Sequence, residues 1–165
     1  MRNDLLLKLA DLLEADANNP TGITFDLGTW GCPTQDVDYD TFAKGILDKS
    51  VPVSCGTTGC AMGLAAISGI FKDEGLTYRR FAGSQLIPVL TKNGDFFEGF
   101  VAATNLFEFP DNGPWPSYSS LLFDPEYYPT EGKAGREAEL KVADRIRKLV
   151  NDGKLSFNEE TKKVL

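Results

Sequence analysis

The sequence predicts an α+β domain, mostly helical, with a small antiparallel β-hairpin or sheet. Apolar side chains recur at helical spacing near both ends of the chain, at Leu5, Leu6, Leu9, Leu12 and Leu13 and again at Leu140, Ala143, Ile146, Leu149 and Val150. Two runs, Thr77 to Ala82 and Gln85 to Leu90, flank Gly83-Ser84, a pair suited to a type II′ hairpin turn. The 165 residues, 42% of them hydrophobic, are enough for one core and too few for two full-sized ones, so residues 1–165 are read as a single domain.

Asn3 is placed to cap the first helix, which is expected to run to about Asp16 and to be ended by Asn18-Asn19-Pro20. Ile23, Phe25 and Leu27 alternate with Thr24 and Asp26, a short strand that leads into a turn at Gly28-Thr29-Trp30-Gly31-Cys32-Pro33. Asp38 or Asp40 caps a short helix through Leu47, and Val51-Pro52-Val53 leads to a glycine-rich turn between Cys55 and Cys60. A helix of roughly Gly59 to Ile70 follows. Its residues Gly59, Gly63, Ala66 and Ile67 leave one side nearly bare, so another helix or a stretch of backbone must pack closely there. Pro88 lacks an N–H and is expected to put the second hairpin strand at a sheet edge. Asp95 then reads as the cap of a helix from about Phe96 to Phe107, with Phe97, Phe100, Val101, Thr104 and Phe107 on one face. Residues 107–129 hold five of the nine prolines and seven of the eighteen aromatics, an ordered irregular segment too aromatic to be a solvated linker. The last helix is expected from about Gly135 to Asn151, stopped by Gly153.

Charge narrows the function classes. Net charge is −7: residues 1–125 carry 8 basic and 16 acidic side chains, and residues 126–165 carry 9 and 8. Such a surface repels phosphate backbones, so no nucleic-acid partner is expected. The one basic cluster, Arg136, Lys141, Arg145, Arg147 and Lys148, is interrupted by Glu137, Glu139 and Asp144 and reads as a solvated helix face. The N-terminal segment is apolar for a run of only three residues, Leu5 to Leu7, before Lys8, so neither a signal peptide nor a membrane partner is expected. Three cysteines, Cys32, Cys55 and Cys60, cannot all pair, which favours free thiols and a cytoplasmic location.

The densest motif is Cys55-Gly56-Thr57-Thr58-Gly59-Cys60-Ala61-Met62-Gly63, in a chain with no histidine. A thiol at a helix start can be held as thiolate by unpaired N–H groups, which makes Cys55 and Cys60 the candidate catalytic residues. Without imidazole, the proton acceptor would have to be Lys, Asp, Glu or Tyr. The alternative is that both are small side chains packed under a glycine turn. Cys-x4-Cys with one further cysteine falls short of a four-ligand zinc site, and it departs from the Pro-Cys-x-x-Cys pair of nucleobase deaminases; no metal and no cofactor is expected. Backbone N–H groups at Gly56, with the hydroxyls of Thr57 and Thr58, could cradle an anion, although no lysine follows to complete a phosphate-binding loop. Asp36, Asp38 and Asp40 imitate a calcium loop but lack its glycine and its terminal glutamate, so capping and solvation account for them.

The combination of Asp26 with Trp30, of Cys55 through Gly63, and of Leu122-Phe123-Asp124-Pro125 ahead of a basic C-terminal helix resembles a family of small bacterial and phage-encoded proteins with no assigned activity. Its markers are an Asp-x-x-x-Trp element and a Cys-Gly-Thr-x-x-Cys-x-x-Gly element. The resemblance implies a single folded unit and a phage or mobile-element setting, and it names no reaction.

Three functional readings follow from the residues. The best is a non-enzymatic cytoplasmic accessory or interaction protein, meeting another protein through Trp115, Tyr118, Tyr127 and Tyr128, aromatics beside prolines that supply rigid contact surface or else cover the core. The alternatives are a cysteine-dependent hydrolase or thiol redox enzyme at Cys55 and Cys60, and a small anion- or ligand-binding module at Gly56, Thr57 and Thr58 with Trp30.

Overall fold

The leucine stripe of the first helix finds its partner at the far end of the chain. The computed structural model describes residues 1–19, 23–30, 32–33, 57–80, 86–110, 116–129, 133–158 and 163–164, and the fold is α+β as expected. Helix α1 (Asn3–Asn18) buries Leu5, Leu6, Leu9, Ala10 and Leu13 against α5 (Gly135–Asp152), which answers with Ala138, Val142, Ala143, Ile146 and Leu149. Leu140 and Val150 lie half-buried at the rim. There Arg147 reaches back to Glu14 at 2.6 and 2.8 Å and to Asp11 at 2.7 Å. Asn3 is not the cap but the first helical residue; the cap position is Arg2, whose guanidinium pairs with Asp4 at 2.8 Å and puts a carboxylate in the first turn.

Strand β1 (Ile23–Phe25) runs parallel to β3 (Thr57–Gly59), and β3 pairs antiparallel with β2 (Cys32–Pro33), giving a small mixed sheet of order β1-β3-β2. Two expectations change here. Residues 57–59 are the central strand of this sheet rather than part of a turn, because β-branched Thr57 and Thr58 suit the extended backbone that pairs on both sides. Helix α2 (Ala61–Ser68) therefore starts two residues later than expected.

The expected hairpin forms as β4 (Leu76–Arg80) and β5 (Leu86–Lys92), but it grows into a three-stranded antiparallel meander through β6 (Asp95–Glu98). Pro88 thus lies on the central strand, not on an edge. The amide of Thr91 points to the β4 side, donating to the Gly75 carbonyl at 3.1 Å, so alternation directs the N–H that Pro88 lacks toward β6. There the β5–β6 pairing has already ended at Val89 and Glu98, and no ladder bond is lost. The strand at 95–98 replaces the first turn of the expected helix because Asn93 (φ 55°) and Gly94 (φ 88°) form the left-handed pair of a tight hairpin turn, closed by Lys92 opposite Asp95. Helix α3 (Gly99–Phe107) begins only after it, and its buried face is Ala102, Ala103, Leu106 and Phe107; Val101, expected inside, is 55% exposed.

The segment 107–129 is not irregular throughout. Ser117 caps α4 (Tyr118–Phe123) by accepting from Ser120 N, and Asp124 caps a 3-10 turn at Pro125–Tyr127 by accepting from Glu126 N at 2.9 Å. Arg145 of α5 fastens both, donating to the carbonyls of Leu121 (2.8 Å) and Tyr127 (2.7 Å) while its guanidinium stacks on Tyr128. Phe71, Phe107 and Phe123 are fully buried at the centre, each within 6.0 Å of a neighbouring ring. A last hairpin of β7 (Phe157–Asn158) and β8 (Lys163–Val164) follows α5. The expected helix to Leu47, the run Val51-Pro52-Val53, Asp36, Asp38 and Asp40, and the turn Gly83-Ser84 lie outside the described residues.

The close approach expected at α2 is met by backbone. A Cβ on Gly63 would overlap the Trp30 carbonyl oxygen and lie 3.2 Å from the Tyr78 hydroxyl. Because the obstacle is main chain, it cannot rotate away. Gly63→Leu is expected to lose more than about 2 kcal/mol in a denaturant unfolding curve, since overpacking alone costs roughly 1 to 3 kcal/mol; an unchanged midpoint and slope would refute the contact.

Candidate functional site

Asp26 organises the loop that carries Trp30. Its carboxylate accepts from Gly28 N at 2.8 Å and from the Thr29 hydroxyl at 3.4 Å, and its carbonyl accepts from Thr29 N, a local turn built on one short acidic side chain. Two further bonds fix that turn to the rest of the fold: Asp26 N donates to Gly59 O at 3.0 Å and Cys60 N donates to Thr29 O at 2.6 Å. The Asp26–Trp30 element and the second half of the cysteine element, far apart in sequence, therefore form one unit at the start of α2.

The Trp30 indole is directed by what lies beneath it. It meets Phe100 edge to face, with ring centroids 4.8 Å apart, and passes over Gly99, where a Cβ would stand 3.3 Å from the indole ring. The half-buried indole lines an open cleft of about 270 Å³ together with Leu27, Gly28, Phe100, Asp124, Pro125 and Glu126. None of these lining residues is basic. The cleft thus combines an aromatic wall with two carboxylates, surroundings that suit a cation.

Cys60 does not open onto this cleft. It is 1% exposed, and burial pushes its thiol up to about 11, outweighing the opposing pull of the Met62 and Gly63 amides at the helix start. The thiol is protonated at neutral pH and has no described path to a substrate. Cys55 and Gly56 lie outside the described residues, as does Trp115. The backbone of Thr57 and Thr58 is paired with β1 and β2, and the Cys60 amide is bonded to Thr29, so these N–H groups are not gathered toward an anion.

Among the tyrosines expected at a partner surface, Tyr118 and Tyr128 are corrected to core residues. Tyr118 packs on Phe109, and the hydroxyl of Tyr128 donates to Leu122 O at 2.6 Å. Tyr127 is half-buried, edge-on to Phe157 at 4.9 Å. Three arginines of the basic helix are engaged within the fold: Arg136 with Asn18, Arg145 with backbone carbonyls, and Arg147 with Asp11 and Glu14.

Sequence reasoning singled out Trp30 and missed Phe100, Asp124 and Glu126 as its neighbours. Asp124-Pro125 carried a signal, a capping residue before a proline that starts a helical turn. Nothing local signals that this turn faces Trp30. Comparison of the chain with protein-family models, curated proteins and solved structures finds no match.

Burial of the thiol has a direct chemical consequence. Iodoacetamide labelling of the native protein between pH 6 and 9, read by mass spectrometry, is expected to leave Cys60 unmodified while denatured protein labels fully. Rapid native labelling of Cys60 at neutral pH would contradict the buried, protonated state.

Proposed function

We propose that this chain is a non-enzymatic interaction module that receives a basic side chain of a partner protein in the cleft beside Trp30. The observation that carries the reading is the lining itself, which brings the indole of Trp30 and the ring of Phe100 into one cleft with the acids Asp124 and Glu126 and includes no basic residue. A cation beside a tryptophan face gains about 0.5 to 2 kcal/mol depending on how far it is desolvated, and an exposed carboxylate partner adds roughly 0.2 to 1 kcal/mol. Each term is small, so such a cleft would act as one anchor within a wider contact rather than as a tight small-molecule site. The net charge of −7 favours the same class of partner by steering cationic surfaces toward the chain. Anion binding at this cleft is opposed by its carboxylates, and catalysis by Cys60 is opposed by burial of its thiol.

The test uses Trp115→Phe protein, in which Trp30 supplies the sole indole N–H resonance. Titration with an acetylated Gly-Arg-Gly amide is expected to shift that resonance in a saturable, salt-sensitive way, while the uncharged citrulline peptide shifts it little. Asp124→Asn and Glu126→Gln are each expected to weaken binding about two- to fivefold. An arginine peptide that shifts Trp30 no more than its citrulline counterpart would reject the proposal.

A further inference from the structure

The Trp30 cleft adjoins the edge of a sheet. Strand β6 ends at Glu98; the next residue, Gly99, packs against the indole, where a Cβ would stand 3.3 Å from the ring, and Phe100 lines the cleft. Consecutive residues thus lead from the strand into the cleft.

Hydrogen bonding leaves the outer side of β6 open. In the meander, of order β4-β5-β6, this strand pairs only with β5. The Thr91 amide donates to Gly75 O on the β4 side, so Thr91 and Phe96, directly opposite each other, form a pair that exchanges no hydrogen bonds. The N–H and carbonyl of Phe96 therefore point away from β5, and alternation along the extended backbone sends the Glu98 N–H the same way. No other backbone group among the described residues is bonded to these three. A free edge invites a further strand, and β6, Asp95-Phe96-Phe97-Glu98, has no lysine, proline or bulge to prevent one.

Its side chains select what lies there. Phe96, 66% exposed, and Val101 are the two most exposed large hydrophobic side chains among the described residues, and along the chain they bracket the junction of β6 and α3. Glu98 is paired with Arg79, while Asp95 is exposed and has no ion pair among the described residues. Asp95 at the start of the strand and Asp124 and Glu126 in the cleft beyond its end favour a basic occupant. A second copy of the chain is a poorer one, because two molecules of net charge −7 repel.

We infer that the partner segment whose basic side chain enters the Trp30 cleft is extended and adds to the meander as a fourth strand, paired with the free edge of β6 and covering Phe96. This pairing rests on the cleft reading and supplies the wider contact that the small energies of the cleft call for.

The probe is acetyl-Thr-Val-Thr-Gly-Arg-Gly-Thr-Val-Thr-amide, which offers strand-forming residues on both sides of the arginine and so fits either chain direction. Titrated into Trp115→Phe protein and followed at the Trp30 indole N–H, it is expected to bind roughly tenfold or more tightly than the Gly-Arg-Gly peptide, because backbone hydrogen bonds add to the same anchor. At saturation, hydrogen exchange of the Phe96 and Glu98 amides is expected to slow. Phe96→Ser, at an exposed position, is expected to remove much of the gain and to leave the Gly-Arg-Gly titration unchanged. Equal affinity of the two peptides, or saturation that leaves Phe96 and Glu98 exchange as in the free protein, would overturn strand addition with the cleft reading intact. Slowed exchange at both amides with a citrulline form of the long peptide as effective as the arginine form would instead reject the cleft reading, and with it the single continuous segment. Protection of these amides that rises with protein concentration in the absence of peptide would give the edge to a second copy and overturn the partner strand.

Discussion

The fold depends on the contact between the α carbon of Gly63 and the carbonyl of Trp30. That contact brings a helix to touch a turn with no side chain between them, and the neighbouring bonds follow from it. The Tyr78 hydroxyl reaches across from the meander to the Gly63 carbonyl, and the amide of Cys60 reaches the Thr29 carbonyl. One small residue thereby joins the mixed sheet, α2 and the β4–β5–β6 sheet. Its effect on the candidate site is direct, because it holds the main chain of Trp30, whose indole lies over Gly99 against Phe100. The cleft is where that indole emerges.

The same packing decides between two opposed effects at Cys60. A helix start stabilises a thiolate by about 0.3 to 1 kcal/mol at an exposed site. Raising the thiol from 9.0 to about 11 corresponds to roughly 3 kcal/mol against the thiolate. Burial wins, so a sequence position that resembles an activated cysteine becomes a core residue. At Glu139 the same desolvation acts on an acid, pushing its carboxyl up to about 8 and favouring its protonated form. Apolar packing thus sets the chemistry of both groups, one beneath the Trp30 turn and one between the terminal helices.

Much of the architecture was legible in the residues. The leucine stripe of α1, the face of α5 ending at Gly153, the hairpin strands and the demand for close backbone packing at Gly63 all follow from periodicity and side-chain size. The misreadings have local causes. Phe97, Phe100 and Thr104 match helical spacing, and that pattern hid the Asn93-Gly94 turn, a stronger signal that converts residues 95–98 into a strand. Pro88 was read as an edge marker, yet the β5–β6 register ends before its missing N–H would matter. The candidate cleft was legible only at Trp30, because Asp124 and Glu126 reach the same cleft through a segment that Arg145 of α5 fastens by the carbonyls of Leu121 and Tyr127, a relation that no spacing along the chain encodes.

The central claim, that the Gly63–Trp30 contact stays closed for as long as the protein is folded, is tested most directly by native-state hydrogen exchange of the Cys60 amide. This N–H donates to Thr29 O at 2.6 Å and can exchange only when the turn parts from α2. Its opening free energy is expected to equal that of global unfolding and to fall with denaturant at the same slope. A Cys60 amide that exchanges several kcal/mol more easily, with little denaturant dependence, would mean that the turn opens by itself and that the rest of the structure does not depend on it.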